Sequence, residues 1–247
     1  MGKAGLDAGL SYEGIEMNLR ISAVVATIAV AAISLAAYDG FSLKRTLKAG
    51  DVLKYKQTGK FDIQGQQFEF EAVATEKIVK VEDNGSYVQN ESTGDMKING
   101  MEVPPGQGAP GASTTTYSPK GEITEIKTEQ MDANTYRFAN MALFILPEND
   151  VKAGDTWTYE VKADEKKGIV AAKAKYTFVG EEKVGKDDCL KVKSNVTETG
   201  SSPASSDGTV WIRKSDKVMV KMVAKWADVP VPNAGAISGE ITLVLLP

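Results

Sequence analysis

The sequence predicts a mainly β protein, in which a curved antiparallel sheet (a half-barrel) is built from two duplicated β-meander units with one buried apolar helix between them. Three observations lead to this prediction. Apolar and polar residues alternate with a period of two over long stretches, a short motif recurs in the second half, and one apolar segment between the copies has helical composition.

The alternation is clearest in residues 218–226, where one face is apolar and the other carries lysines. Strands with one buried and one solvated face are typical of antiparallel sheets. The apolar face consists of Val218, Val220, Met222 and Trp226, and the lysines are Lys217, Lys221 and Lys225.

A five-residue motif occurs twice, as LKAGD at Leu47–Asp51 and as VKAGD at Val151–Asp155, and a tyrosine follows each copy, at Tyr55 and at Tyr159. Glycine readily adopts the positive φ of a tight turn, and an aspartate side chain accepts hydrogen bonds from nearby backbone N–H groups. Each copy therefore marks the start of a strand. Alternating runs, polar turns and a loop rich in Gly, Pro or Ser follow in the same order in both halves.

The duplication defines the domain organisation. We predict a single β-rich domain over residues 38–247, made of two repeats at about 47–128 and 151–247 that are joined by a helix at about 131–146. A period of about 100 residues is too long for a solenoid.

The predicted helix, MDANTYRFANMALFIL at residues 131–146, has Asp132 as a candidate N-cap and Pro147 as a stop. Because it is apolar nearly all round, we expect it to be buried across the curved sheet. Core packing is the role we expect, and it is compatible with lining a pocket for an apolar ligand. The candidate ligand-lining residues are Tyr136, Phe138, Met141, Leu143, Phe144 and Ile145.

Residues 17–37 have the features of a secretory signal peptide. Arg20 precedes the charge-free run Ile21–Tyr38, which ends in small residues, so we place cleavage after Ala36 or Ala37. The protein is therefore expected to be exported to the periplasm, the cell envelope or the medium. An uncleaved inner-membrane anchor is the alternative, because the run is nearly long enough to span a bilayer.

Residues 1–16 fit a signal poorly, since they contain Asp7, Glu13 and Glu16 where a basic leading region is expected. Met17–Arg20 is a better start. We predict that translation begins at Met17 and that residues 1–16 are an over-called extension.

Composition argues against catalysis. The chain has no histidine, which removes the usual general base and the commonest metal ligand. Its one cysteine, Cys189, cannot form an intrachain disulfide and is expected in the core. The net charge of −4 has both signs interspersed, unlike a nucleic-acid-binding surface. We expect no catalytic residue, metal site or cofactor, and no nucleic-acid partner.

The segment Leu146–Trp157, LPENDVKAGDTW, resembles exported bacterial domain families of unknown function, which are similar in turn to the periplasmic lipoprotein-carrier superfamily of LolA, LolB and LppX-like proteins. In that superfamily a curved antiparallel half-barrel wraps around helices and holds acyl chains. The resemblance implies such a fold over most of residues 40–247. The chain departs from the carriers in having one apolar helix and no lipoprotein-box cysteine.

Two function hypotheses follow. The first is a non-enzymatic exported envelope protein that binds a lipid or other apolar ligand in the concavity of the sheet. The alternative is a structural or protein-interaction module of the envelope with no small-molecule ligand. A binding protein needs an open apolar cavity, so a helix that fills the concavity would weaken the first hypothesis.

We predict that the mature chain in cells begins at Ala37 or Tyr38, because a signal peptidase would cut after the small residues at the end of the apolar run. Mass spectrometry of the protein isolated from cell fractions measures this terminus. A peptide from residues 3–16 would contradict the start at Met17, and a peptide from residues 21–36 would establish a retained anchor.

Overall fold

In the part of the chain that the structure describes, the domain is a curved antiparallel sheet of 12 strands with one short α-helix and a single 3₁₀ turn at Glu165–Lys167, which confirms the predicted fold class. The computed structural model describes residues 40–104, 111–129, 131–132, 134–200, 203–231 and 235–247, all within the unit Tyr38–Pro247. The predictions for residues 1–37 lie outside these ranges. Within these ranges, no helix combines the length and the hydropathy that crossing a membrane requires.

Two meanders meet in the middle of the sheet. The strands of the first are β1 (Val52–Ile63), β2 (Gln66–Val81), β3 (Tyr87–Ile98), β4 (Met101–Glu102), β5 (Ser113–Tyr117) and β6 (Ile123–Thr128). Those of the second are β7 (Thr156–Val161), β8 (Ala172–Val184), β9 (Asp187–Glu198), β10 (Ser205–Arg213), β11 (Met219–Val231) and β12 (Gly235–Leu245). The order across the sheet is β6-β5-β3-β2-β1-β12-β11-β10-β9-β8-β7, with β4 paired to β3. The first and last strands of the domain therefore pair at its centre, and β6 and β7 form the edges.

The alternation predicted around β11 is present in the structure. Val218, Val220 and Met222 are buried, and Trp226 is partly buried on the same face. Lys225, on the other face, is exposed. The concave side of the sheet is therefore the side that carries the core.

The two copies of the KAGD motif form the same turn. In the first copy, the N–H of Gly50 donates to the carbonyl of Ile78 (2.8 Å), and the N–H of Ile78 donates to the carbonyl of Asp51 (2.9 Å). The second copy repeats both bonds, at 2.8 and 2.9 Å, with Gly154, Phe178 and Asp155. Both glycines have a φ of 93°, so the local geometry is equal at both sites, while duplication of the whole units stays a prediction.

The helix is shorter than the predicted 131–146. Helix α1 spans Thr135–Met141 only. Beyond it, two backbone carbonyls accept hydrogen bonds from side chains of the second meander instead of from a further helical turn. The carbonyl of Leu143 accepts from the hydroxyl of Tyr176 (2.9 Å), and the carbonyl of Ile145 accepts from Nε1 of Trp157 (2.7 Å).

Asp132, the predicted N-cap, lies just outside the helix, whose N-cap is Asn134. The Oδ1 atom of Asp132 accepts hydrogen bonds from the N–H of Asn134 (2.9 Å) and from the hydroxyl of Thr135 (3.0 Å). Asp132 thus forms a turn that leads into α1, as aspartates commonly do before helices.

Helix α1 is fixed to the concave face by buried polar contacts. The guanidinium of Arg137 donates to both carboxylate oxygens of Glu198 in β9, and Glu198 also accepts from the N–H of Ala204 (3.0 Å). On the other side of the helix, the hydroxyl of Tyr136 accepts from the N–H of Ile126 in β6 (3.0 Å). The helix therefore links strands from the two meanders.

We predict that Arg137→Met lowers the free energy of unfolding by about 3–5 kcal/mol, because it leaves the carboxylate of Glu198 buried without its cation. Urea denaturation of the purified domain measures this loss. The matched control is Lys60→Met, which breaks the exposed pair of Lys60 with Glu69 (2.8 Å) and should leave the free energy of unfolding nearly unchanged, because solvent screens such surface pairs. Equal losses in the two variants would contradict the anchoring role of Arg137.

Candidate ligand-binding site on the concave face

The segment from α1 to Val151 covers only part of the concave face. Under it, the inward side chains of β8 to β11 are almost all buried, whereas several inward side chains of β2 and β3 stay partly exposed. The partly exposed set includes Phe68, Phe70, Glu76, Glu91 and Ile98. The first meander therefore offers the more accessible part of the concavity.

Four of the six predicted ligand-lining residues lie in the core, and two are partly buried. Tyr136, Met141, Leu143 and Ile145 are each at most 6% exposed. Phe138 and Phe144 are partly buried. Nothing in the structure tests whether any of the six contacts a ligand, so that role stays a prediction.

Phe138 belongs to a row of aromatic rings that crosses the concave face. It stacks on Trp226 of β11 with ring centroids 5.8 Å apart, Trp226 contacts Phe61 of β1 at 5.9 Å, and Phe61 stacks on Phe70 of β2 at 6.1 Å. We call these four residues, together with the neighbouring Phe68, the aromatic patch. All except Phe61 are only partly buried.

A glycine makes room for the aromatic patch. Gly239 of β12 pairs with Trp226 on one side and with Phe61 on the other. A Cβ at Gly239 would overlap the carbonyl oxygen of Lys60 and would also lie 2.6 Å from a ring carbon of Phe61, which is closer than atoms in contact can approach. The two rings therefore meet across the backbone of β12.

The indole N–H of Trp226 is buried and has no hydrogen-bond acceptor among the residues that the structure describes. Leaving a buried donor unsatisfied costs about 1–3 kcal/mol. A bound molecule or water that placed an oxygen beside Nε1 would remove this cost. This atom is the clearest polar feature within the aromatic patch.

Two carboxylates lie opposite each other farther along the same face. Glu76 of β2 pairs directly with Glu91 of β3. Glu76 lies two residues from Ala74, whose buried partner in β1 is Tyr55, so Glu76 points to the concave side. We call Glu76 and Glu91 the acidic pair.

The surroundings of the acidic pair favour its protonated form. Burial, and then the charge of Glu91, raise the pKa of Glu76 to about 7, against a smaller lowering effect of Arg45. Burial also raises the pKa of Glu91. The neighbouring rings of Tyr87 and Tyr117 stack at 4.8 Å. Around neutral pH the pair can therefore carry a proton and act as hydrogen-bond donor as well as acceptor.

The other titratable groups that the structure describes are of interest as metal ligands and as nucleophiles. Among the described residues, no cluster of three or more His, Cys, Asp or Glu side chains could hold a metal ion. Cys189 is buried, as expected, and burial raises the pKa of its thiol, so it is a poor nucleophile.

Sequence reasoning did not single out the aromatic patch or the acidic pair as a site. The sequence pattern places Trp226 on a strand and Phe138 among the candidate ligand-lining residues, but a pattern within one segment does not say which strands become neighbours. The one available signal was Glu76 within an otherwise apolar or small inward face of β2, since an acid on the buried face of a strand is uncommon.

Comparisons with known proteins show weak structural similarity only. No family model and no curated protein matches the sequence. One similar structure is that of lipovitellin, which is described as showing lipid–protein interactions. Its sequence is 11% identical to this chain, and the TM-score is 0.48. The match covers 82% of this chain but only 26% of the lipovitellin chain.

Two bacterial structures are also similar. A Bacteroides fragilis protein described as exported, with a YmcC-like fold, has 12% identity, a TM-score of 0.32, and coverage of 85% of this chain and 99% of its own. A DUF1329 family protein from Desulfovibrio piger has 12% identity, a TM-score of 0.23, and coverage of 81% and 85%. The fold assignment rests on the strand order of this chain.

We predict that Glu76→Gln stabilises the domain at pH 8 by about 1–3 kcal/mol and has little effect near pH 4. Since the pKa of Glu76 is raised from 4.5 to about 7 on folding, the wild-type protein loses stability as the pH rises through this window. Glutamine mimics the protonated acid and removes the loss.

Urea unfolding at several pH values between these limits measures the effect. Glu71→Gln is the matched control, because Glu71 lies in the same strand but forms an exposed ion pair with Lys56 (2.9 Å). A Glu76→Gln variant that is no more stable than wild type at pH 8 would show that burial does not hold a proton on this carboxyl group.

Proposed function

We propose that this protein is a non-enzymatic, exported envelope protein that binds a lipid or another elongated apolar ligand against the aromatic patch on its concave face. The observation that carries the proposal is the buried N–H of Trp226, which lacks an acceptor in the middle of a partly exposed row of rings.

The aromatic patch has the composition of a ligand site. Small-molecule sites are mostly apolar and contain a few polar groups that orient the ligand. Here Phe68, Phe70 and Phe138 supply apolar surface that the fold leaves partly uncovered. Trp226 supplies a single hydrogen-bond donor, its indole N–H. One acceptor oxygen on the ligand is therefore enough to satisfy it.

This arrangement favours a particular ligand chemistry. An aliphatic chain gains about 25 cal/mol for each Å² of apolar surface that it buries. A carboxylate, ester or hydroxyl oxygen near one end of the chain would accept from Nε1 of Trp226. Fatty acids and acyl lipids combine both features.

Export and lack of catalysis are parts of the same proposal. The charge-free run at Ile21–Tyr38 supports export. The absence of histidine from the sequence supports a binding role, because it removes the commonest general base.

Quenching by a brominated fatty acid tests the proposal. Dibromostearate quenches tryptophan fluorescence only at close range, so saturable binding at the aromatic patch should quench Trp226. The matched variants are Trp226→Phe and Trp211→Phe, because Trp211 lies on the other face of the sheet, near Lys191 and Lys221. We expect Trp226→Phe to lose most of the quenching and Trp211→Phe to retain it.

Stearate binding by calorimetry completes the test, because it does not depend on fluorescence. Loss of the indole donor should weaken stearate binding about tenfold, as expected for one buried hydrogen bond to a charged group. Native mass spectrometry of protein purified from envelopes should show a retained lipid. No saturable binding and no co-purified lipid would reject the proposal in favour of an interaction module without a small-molecule ligand.

A further inference from the structure

A cavity lies on the convex face of the sheet, which is the face away from the aromatic patch. It spans β8 to β11 and has a volume of about 490 Å³. Lys175 of β8, Lys193 of β9 and Lys225 of β11 line it. Each is next in sequence to a buried or partly buried concave residue, so the three lysines share the solvent side of the sheet.

The three lysines differ from their neighbours in being unpaired. Lys173 in β8 forms an ion pair with Glu160 at 3.7 Å, and Lys191 in β9 forms one with Glu182 at 2.6 Å. Among the described residues, the ammonium groups of the cavity have no carboxylate partner and no hydrogen-bond acceptor. Three lysines and one carboxylate around a single cavity give its lining a net positive charge and a positive potential.

The one acid that lines the cavity offsets only one of the three lysine charges. Asp207 of β10 pairs across the strands with Lys225, but its carboxylate accepts instead from Nδ2 of Asn195 at 2.7 Å. Asn195 and the hydroxyl-bearing Thr209 also line the cavity and add hydrogen-bonding groups. The net charge of the lining is positive.

We infer that this convex cavity binds a phosphate-type oxyanion. A tetrahedral dianion takes several hydrogen bonds at once, and three ammonium groups from separate strands can approach it from different sides. The anion is either free phosphate or the phosphate of a lipid headgroup, since the two present the same oxygens. The inference does not rest on the concave-face ligand, because the two sites lie on opposite sides of the sheet.

Titration of the ¹⁵N-labelled protein with inorganic phosphate tests the inference through amide chemical shifts. We expect saturable shifts confined to the cavity strands. Lys193→Gln and Lys225→Gln should each weaken the apparent affinity about fivefold or more, since each removes one of three charges close to the anion. Asp207→Asn should strengthen binding, because it removes the only negative charge of the lining.

Lys173→Gln is the matched control, because Lys173 lies two residues from Lys175 on the same face and outside the cavity. It should leave the affinity unchanged. A parallel titration with dihexanoyl phosphatidic acid separates the two sources. Tighter binding than inorganic phosphate, with the same dependence on Lys193, assigns the anion to a lipid headgroup, whereas equal affinity assigns it to the free ion.

Two results would overturn the inference. One is an absence of saturable shifts with either probe up to about 10 mM at low ionic strength, where screening of exposed charges is weakest. The other is an equal loss of affinity in Lys173→Gln and Lys193→Gln, which would mean a diffuse surface charge effect in place of a site.

Discussion

The contact of Arg137 with Glu198 fixes how the concave face of the sheet is covered. A helix of seven residues has too few internal hydrogen bonds to be stable alone, so the position of α1 depends on its tertiary contacts. Glu198 is only 4% exposed, and a carboxylate at such a place needs a cation and hydrogen-bond donors. Arg137 and the N–H of Ala204 provide them. From this contact the segment between α1 and Val151, which we call the linker, continues towards β7.

Partial cover has a direct consequence for the first meander. The linker reaches the second meander, where the inward side chains are small or well packed, as in Ala172, Ala174 and Ala204. Small side chains allow a helix to approach closely. Across β1 and β2 the inward face instead carries Phe61, Phe68 and Phe70, and most of that aromatic surface stays partly open. A contiguous, partly exposed apolar surface of this kind commonly marks a place where another molecule binds.

Much of the fold is predictable from the sequence, because strand faces depend on local alternation. The face of residues 218–226 and the KAGD turns illustrate this. The end of the helix is not predictable in this way. Residues 143–146 have good helical composition, but in the structure the carbonyls of Leu143 and Ile145 accept hydrogen bonds from Tyr176 and Trp157 instead of from a further helical turn. Those donors come from strands that follow in the chain, and a local pattern does not contain them.

The candidate site is harder to predict from the sequence than the fold, because it depends on which strands pair and in which register. The aromatic patch joins Phe61 to Trp226 through β12, so it depends on pairing the first and last strands of the domain. A register shift between β2 and β3 also interrupts simple alternation. It places Thr93 and Ile98 on the same face although they are an odd number of residues apart. Counting in twos along β3 would therefore have assigned one end of this strand to the wrong side.

The two meanders thus differ in how completely their inward side chains are buried. In β8 and β9 the inward residues, such as Tyr176 and Val192, are fully buried, and alternate residues are free to carry Lys175 and Lys193 on the convex side. Because alternate residues of a strand face opposite ways, those charges can change without disturbing the core. The first meander also carries charged groups outside, such as the ion pair of Lys56 with Glu71, but its inner aromatic surface is only partly buried. The second meander is therefore the well-packed half of the domain, and the inner surface of the first meander stays partly exposed.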